Sequence, residues 1–204
     1  MMKPLGVILA GGQARRMGGG DKGMLDLDGV TILEQVIARL RPQVGAMALN
    51  ANGDADRFEG FGLPVLPDSI AGFPGPLAGV LAGLDWAYDQ GADTIVTAAA
   101  DTPFFPSDLT EQLLSAAGPV PLALAASKGA DGKVWRQPTF GLWSVALRDD
   151  LRQALTDGLR KVVLWTDRHD AGQAVFATDQ VDPFFNVNTP EDLALARELA
   201  RQMT

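Results

Sequence analysis

A glycine-rich loop near the start of the chain combines close backbone approach with positive charge, as phosphate-binding loops do. From Leu9 to Gly23 it contains six glycines together with Arg15, Arg16 and Lys22. Glycines let the backbone approach a ligand and turn its N–H groups toward one anion. Arginine binds phosphate oxygens bidentately, and lysine acts as a point charge. Because the whole chain is acidic, with a net charge of −8, this local excess of cations predicts a polyphosphate site. The alternative is a solvated loop with incidental charges.

Two well-known phosphate motifs do not fit this loop. Residues 18–23 match G-x-G-x-x-G literally, but the dinucleotide fingerprint lies in the tight turn between a strand and a helix. Here the match comes late in a long loop, and no helix clearly begins after it. The P-loop requires G-K-[ST], whereas Lys22 stands between Asp21 and Gly23. The loop is therefore predicted to bind phosphate in another way.

Oxygen-bearing side chains follow other predicted strands. Asp101 comes directly after the apolar stretch 94–99, where a carboxylate facing a phosphate loop suits Mg²⁺; the equally weighted alternative is an aspartate that caps a turn. Asp68 follows a short strand and Asn188 precedes a helix, so they predict a ligand contact and a metal oxygen ligand, or else a structural turn and a helix cap. His169 is interpreted as a surface residue without a catalytic role.

The composition excludes several kinds of site. The 204 residues include no cysteine and one histidine, which excludes disulfides, thiolate zinc sites, iron–sulfur clusters and multi-histidine metal sites. An acidic chain is a poor general binder of nucleic acid or anionic membranes. No run of 18 apolar residues is present and the N-terminus lacks the basic flank of a strong signal peptide, so a cytoplasmic location is expected.

The elements that must position these residues alternate between strand and helix patterns. Strands are expected at 5–10, 46–50, 63–66, 94–99, 122–126, 134–143 and 174–176, and helices after Thr31, from Pro76, after Ser107, at 145–156, at 161–166 and from Pro190. This alternation predicts an α/β fold with a mostly parallel sheet, in a single domain over residues 1–204. Ligands of such sheets bind beyond the carboxyl ends of the strands, so the loops after Ala10, Asn50, Leu66 and Ala100 are the candidate site.

Several short motifs follow one another in a specific order along nearly the whole chain. They are Leu9-Ala10-Gly11-Gly12, Arg16-Met17-Gly18, Asp21-Lys22-Gly23, Asn50-Ala51-Asn52, Pro67-Asp68, Gly75-Pro76-Leu77-Ala78-Gly79, Asp101-Thr102-Pro103, Pro138-Thr139-Phe140-Gly141-Leu142-Trp143 and Phe185-Asn186-Val187-Asn188-Thr189-Pro190. No single motif is decisive. Their joint order resembles that of the molybdenum cofactor guanylyltransferases.

The resemblance implies a reaction, a fold and a set of site residues. Members of this family transfer GMP from GTP to the phosphate of molybdenum-bound molybdopterin and release pyrophosphate, on a three-layer α/β/α sandwich of the nucleotide-diphospho-sugar-transferase type. By position, the implied nucleotide-binding residues are Leu9, Ala10, Gly11, Gly12, Lys22, Asn50, Asp68 and Asp101. The implied catalytic residues are Arg16, Lys22 and Asp101, and the implied Mg²⁺ ligands are Asp101 and Asn188.

The resemblance also implies partners. These are GTP and molybdopterin as substrates, and transient contacts with molybdenum-insertion proteins and with apo-molybdoenzymes or their chaperones. A monomer is expected, with no nucleic acid or membrane partner.

Two alternatives stay open, and three positions depart from the family pattern. A cytidylyltransferase of the same fold would tend to carry Leu-Ala-Ala-Gly in the first loop, so Gly11 favours guanine. The other alternative is a nucleotide-binding module without turnover. Relatives often have Cys, His and Arg where this chain has Ala100, Gln137 and Gly53. The segment around Gln137 is expected to face the pterin.

Overall fold

A computed structural model describes residues 3–11, 21–70, 72, 75–178 and 181–202. Its seven strands are β1 (Leu5–Leu9), β2 (Met47–Asn50), β3 (Val65–Leu66), β4 (Thr94–Ala99), β5 (Ala123–Lys128), β6 (Val134–Ser144) and β7 (Gly172–Ala177). Its α-helices are α1 (Ile32–Leu40), α2 (Pro76–Asp89), α3 (Leu109–Ala116), α4 (Arg148–Thr156), α5 (Val162–Arg168) and α6 (Pro190–Gln202). Short 3₁₀ turns occur at Lys22–Met24, Arg41–Gln43, Asp56–Phe61 and Val145–Leu147.

The strands form one sheet in the order β3-β2-β1-β4-β6-β5-β7. Only β6 runs against its neighbours, since β4 and β5 both pair with it antiparallel while all other pairs are parallel. The prediction of a mostly parallel α/β sheet is therefore confirmed. The carboxyl ends of the other six strands lie along one edge, which we call the carboxyl edge.

Apolar cores lie on both faces of the sheet. One core contains the buried faces of α1, α3 and α6, and the other contains those of α2, α4 and α5. β1 contributes Ile8 to the first core and Val7 to the second, as the alternating side chains of a strand require. The expected three layers follow from this arrangement.

Two predicted helix starts are confirmed by their caps. The Thr31 side chain accepts the Glu34 backbone N–H at 3.1 Å while Glu34 accepts the Thr31 backbone N–H at 2.6 Å, a complete capping box. At α6 the Thr189 hydroxyl accepts the Asp192 backbone N–H at 3.1 Å. These helix starts could be predicted from the sequence because each cap lies three residues from its partner.

The helix expected after Ser107 is present, but the expectation that Ser107 itself caps this helix is wrong. α3 begins at Leu109, and the side chain at its N-cap, Asp108, makes no capping hydrogen bond. The backbone N–H of Thr110 donates instead to Gln43 Oε1 at 3.0 Å. A side chain from a distant turn thus satisfies the first turn of the helix, so no local cap is needed.

β7 begins at Gly172 and is longer than the predicted 174–176. A Cβ at Gly172 would stand 1.9 Å from the carbonyl oxygen of Ala116, so only glycine lets the strand approach α3 this closely. None of the helices in the described ranges is long and apolar enough to cross a membrane.

Candidate active site

Three side chains that the sequence analysis singled out meet at the carboxyl edge. The ammonium Nζ of Lys22 lies 3.3 Å from Asp101 Oδ2 and also donates a hydrogen bond to Asn188 Oδ1. The Lys22 and Asp101 side chains are 17% and 20% exposed, so the cluster is sheltered but open to a ligand. Two oxygen atoms from distant parts of the chain therefore converge on one cation.

Asp101 and Asn188 are fixed by the backbone around them. Asp101 follows β4, and its carbonyl accepts the backbone N–H of Val187 at 2.9 Å, which joins the two segments. Next to it, Asp192 Oδ2 accepts the backbone N–H groups of Asn188 and Thr189, both at 2.9 Å. The hydrogen bond from Asn188, helped by the nearby charge of Lys22, lowers the pKa of Asp192. The start of α6 thus positions Asn188.

The Asp101 carboxylate is bound by side chains rather than used as a turn cap. It lies against the Lys22 ammonium, and its other oxygen accepts from the Thr102 hydroxyl at 3.4 Å. Within the described residues, no backbone N–H donates a hydrogen bond to this carboxylate. Asparagine or aspartate in a capping turn would accept such a bond, so the geometry favours a ligand-binding carboxylate.

Lys22 is held by the packing of the residue that follows it. Gly23 is buried, and a Cβ there would lie 3.2 Å from Leu33 Cβ and 3.3 Å from the carbonyl oxygen of Ala100. The 3₁₀ turn at Lys22–Met24 therefore packs directly between α1 and the end of β4. This places the ammonium of Lys22 beside Asp101.

A small pocket opens beside this cluster. It is lined by Leu9, Ala10, Asp21, Lys22, Gly23, Leu33, Phe58, Ala100 and Asp101. Its floor is the end of β1, where the backbone N–H of Ala10 donates to the carbonyl of Asn50 at 2.8 Å and that of Ala100 donates to the carbonyl of Leu9 at 3.1 Å. Gly11, which follows, is exposed, and a Cβ there would meet no described heavy atom within 4 Å.

Asn50 and Asp68 form a second polar group along the same edge. Asn50 Nδ2 donates to Asp68 Oδ1 at 2.9 Å and to the carbonyl of Leu66 at 3.1 Å. Asn52 Nδ2 donates to Asp68 Oδ2 at 2.8 Å, and the backbone N–H of Asp68 donates to Asn52 Oδ1 at 2.9 Å. The sequence analysis did not select Asn52 as a site residue, yet it orients the Asp68 carboxylate.

A helical glycine makes room for Asn50. A Cβ at Gly79 would lie 2.1 Å from Asn50 Oδ1 and 2.9 Å from Leu9 Cδ2. Only a hydrogen at this position lets α2 pack on the side chains at the ends of β1 and β2. An isolated glycine inside a helical pattern can signal such close packing, and this signal was available in the sequence.

Arg57 is a further residue that the sequence analysis missed. Its guanidinium pairs through Nε with Asp21 Oδ2 at 2.5 Å, donates to the carbonyl groups of Asn52 and Asp54, and lies 4.5 Å from the ring centroid of Phe58. It joins the residue before Lys22 to the turn after β2. Because the paired residues lie 36 positions apart, no local pattern could have revealed the contact.

The remaining predicted residues divide into two groups. Gly12 and Arg16 lie outside the described residues, as does Arg15. His169 lies away from this edge at the end of α5, where its Nε2 is 2.8 Å from Asp150 Oδ1 and its ring packs 4.7 Å from that of Trp165. His169 is interpreted from the sequence as a surface residue; the structure places it at the helix end, with a side chain that is 23% exposed and paired with Asp150.

The donor set fits a divalent cation that shares its ligands with a substrate. No group of three or more His, Cys, Asp or Glu side chains capable of holding a metal occurs in the described ranges. Mg²⁺, however, usually takes one or two protein oxygens and completes its shell with phosphate oxygens and water. The oxygens of Asp101 and Asn188 already converge on a cation, the Lys22 ammonium.

Comparisons with known proteins show the family to which the chain belongs. Residues 6–171 match the family model described as the MobA-like NTP transferase domain. A Mesorhizobium japonicum protein named molybdenum cofactor guanylyltransferase is 48% identical over 204 residues, covering 98% of this chain and 97% of that protein. A Bradyrhizobium protein of the same name is 50% identical over 200 residues, covering 96% and 92%.

Solved structures with similar backbones support the fold. Molybdopterin-guanine dinucleotide biosynthesis protein A from Archaeoglobus fulgidus aligns with a TM-score of 0.72 at 23% identity, covering 98% of this chain and all of that one. A CMP:2-keto-3-deoxy-manno-octonic acid synthetase complexed with CTP aligns with a TM-score of 0.73 at 15% identity, covering 99% and 100%. The expected nucleotide-diphospho-sugar-transferase-like sandwich is therefore confirmed.

Proposed function

We propose that this chain, which belongs to the MobA-like NTP transferase family, transfers GMP from GTP to the phosphate of molybdenum-bound molybdopterin and releases pyrophosphate. The family membership rests on the match over residues 6–171 and on relatives about half identical over nearly the full length. The observation that carries the proposed reaction is the convergence of Lys22, Asp101 and Asn188 at the carboxyl edge.

The reaction places modest demands on acid–base chemistry. An oxygen of the acceptor phosphate attacks the α-phosphorus of GTP, the new P–O bond forms, and the bond to the pyrophosphate leaving group breaks. The attacking oxygen is already anionic, so no strong general base is required. A site built from one lysine, carboxylates and amides therefore suffices, because its task is to position the substrates and neutralise charge.

Lys22 supplies part of this neutralisation through its ammonium group. The side chain lies at the mouth of the pocket lined by Leu9 and Ala10, within reach of a triphosphate bound along the carboxyl edge. Arg16, from the same loop, is proposed to act with it on the phosphates. Together they would stabilise the charge that builds on the leaving pyrophosphate.

Asp101 and Asn188 are the proposed ligands of Mg²⁺. When bound, the ion would neutralise charge on phosphate oxygens, an effect of several kcal/mol on such barriers. The Asp101 carboxylate supplies the negative charge that a hard cation favours, and the Asn188 amide supplies a neutral oxygen. The backbone contacts of both residues hold these oxygens in place before substrate arrives.

The base and ribose are proposed to bind along the ends of β1 and β2. Leu9, Ala10 and Gly11 line the first strand end, and the paired side chains of Asn50 and Asp68 line the next. With both carboxylate oxygens of Asp68 bound by amide donors, the group is oriented for a further donor from the nucleoside. The open space at Gly11 leaves room for the edge of guanine.

Pyrophosphate release tests this function. The purified chain is incubated with GTP, Mg²⁺ and molybdopterin, and each component is omitted in turn. We expect release only when all three are present, together with a new guanine- and pterin-containing product. Faster release with CTP than with GTP would indicate a cytidylyltransferase. GTP binding without any release would indicate a binding module.

The cellular setting follows from the same proposal. An unstable cofactor must be handed on, so we propose transient contacts with molybdenum-insertion proteins and with apo-molybdoenzymes or their chaperones. The chain is proposed to work in the cytoplasm as a monomer.

A further inference from the structure

An exposed tryptophan stands on the carboxyl edge, on the β6–β5 side of Asp101. Trp135 in β6 is 50% exposed. The other tryptophans of that region differ, since Trp143 and Trp165 are fully buried. Tryptophan is enriched at binding interfaces, but one exposed ring is not a site by itself, so its position relative to Asp101 must carry the argument.

Strand register places Trp135 level with the candidate site. Thr97 in β4 pairs with Gly141 in β6, which pairs with Leu124 in β5. The β5–β6 pairing shifts register between Leu124 and Ala125, but β5 itself continues without interruption. Three residues beyond Leu124, Ser127 therefore reaches about the level of Ala100, next to Asp101. Ser127 pairs directly with Trp135, so Trp135 lies at the same level along the sheet as Ala100.

The indole also lies on the same face of the sheet as Asn188. Directly paired residues share a face, and Ser127 pairs with both Trp135 and Phe176. The Phe176 ring packs edge-on against Phe184 at 5.5 Å between centroids. Phe184 lies four residues before Asn188, whose side chain contacts Lys22.

The Trp135 ring packs against the backbone at Gly129 and has polar groups beside it. A Cβ at Gly129 would lie 2.8 Å from the Trp135 ring, so glycine lets the indole pack against the hairpin backbone. On the same face, the Gln137 amide donates to the Ser127 hydroxyl at 3.0 Å. A supported aromatic face next to an amide suits a flat, hydrogen-bonding heterocycle.

We infer that Trp135 is the surface on which the pterin of the acceptor stacks, with Gln137 contacting the edge of its rings. This inference rests on the proposed function, because that function makes a pterin the second substrate. GTP is assigned to the ends of β1 and β2, which leaves the β6–β5 side of Asp101 for the acceptor. Its phosphate then points toward Lys22 and the α-phosphorus.

Steady-state kinetics of Trp135→Ala test the inference. Stacking on one aromatic ring is worth about 1–3 kcal/mol per base, so the KM for molybdopterin should rise about tenfold. The kcat at saturating acceptor and the KM for GTP should stay unchanged. Trp135→Phe should restore most of the affinity. Val175→Ala is the matched control, since Val175 is also 50% exposed but lies on the opposite face.

Direct binding separates this inference from the proposed function. Equilibrium ultrafiltration measures molybdopterin retained by the natural chain and by Trp135→Ala without GTP, with circular dichroism to confirm folding. Retention that depends on Trp135 without GMP transfer would refute the function and keep the stacking site. Equal retention and equal KM for both proteins, or an effect on GTP alone, would overturn the stacking site.

Discussion

The ammonium of Lys22 occupies the position between two oxygens that a divalent cation would favour. It contacts Asp101, in the middle of the chain, and Asn188, near its C-terminal end. The loop glycines and charges predicted a phosphate site from the sequence, and the residues after two strands predicted oxygen ligands. The rule on strand ends and the family resemblance already brought these segments to one site. The direct contacts of Lys22 with Asp101 and Asn188 could not be read from any local pattern, because they span 79 and 166 residues.

Replacing Lys22 with alanine should slow GMP transfer while leaving the fold intact. A hydrogen bond to a charged group is worth on the order of 1.5–3 kcal/mol, so kcat/KM for GTP should fall by roughly 10- to 150-fold. Lys133→Ala is the matched control, because Lys133 also pairs with an aspartate, at 3.0 Å, but is 73% exposed. A folded Lys22→Ala chain as active as this control at limiting GTP would exclude the phosphate role.

Replacing Asp101 with asparagine should nearly abolish transfer. Asparagine keeps the size and one oxygen but removes the charge that Mg²⁺ favours. A loss of about 4 kcal/mol slows a reaction roughly a thousandfold. Pyrophosphate release measured against Mg²⁺ concentration checks this, with Asp131→Asn as a control at an exposed Lys–Asp pair. A near-natural rate with unchanged Mg²⁺ dependence would place the metal elsewhere.

Replacing Gly11 with alanine should weaken GTP turnover and allow some CTP turnover. Among the described residues, no heavy atom lies within 4 Å of the added methyl group. The expected loss is therefore assigned to the bound nucleotide, and circular dichroism checks that the fold is intact. The ratio of kcat/KM for GTP to that for CTP is the measurement, and Gly118→Ala is the control at another open position. An unchanged ratio would remove Gly11 from base selection.

At the scale of elements, short connections around the strand ends hold the site residues in place. The capping box at Thr31, the proline-started helices and the apolar strands were all predictable, because each depends on residues a few positions apart. The contact of Gly79 with Asn50 and the bond from Gln43 to the start of α3 were not. They depend on which distant surfaces meet, and local preferences do not determine that.

Arg57 is predicted to position the Lys22 turn through Asp21. The ion pair is partly exposed, at 30% and 21% of the side chains, so its removal should cost about 1 kcal/mol. Arg57→Ala should therefore lower kcat/KM for GTP about fivefold, chiefly through KM. Lysine at this position keeps the charge but not the forked contacts, and should rescue only part of the loss.

The control for Arg57 is a second arginine–aspartate pair, at the end of α6 that is remote from Asn188. Arg201 Nε lies 3.1 Å from Asp28 Oδ2, and its side chain is 60% exposed. Arg201→Ala should leave the KM for GTP unchanged. Equal kinetic effects of the two substitutions would mean that Arg57 acts only through general stability.

At the scale of the whole molecule, a single sheet brings both proposed substrates to one edge. β1, β2 and β3 lie on one side of β4, and β6, β5 and β7 lie on the other. The nucleotide is assigned to the first side and the acceptor to the second, with Asp101 between them. The fold class was predictable from the alternation of patterns, and the glycine-containing turn between the strand patterns 122–126 and 134–143 indicated an antiparallel hairpin, which is confirmed. The insertion of β6 between β4 and β5 was not predictable.

The most direct test of the account follows both ends of the GTP phosphate chain. The chain is incubated with Mg²⁺, molybdopterin and GTP labelled at either the α- or the γ-phosphate, and the products are separated. The account predicts that the α label enters the pterin-containing product and that the γ label leaves as pyrophosphate. Recovery of the α label as free GMP, or of the γ label on the pterin, would contradict it.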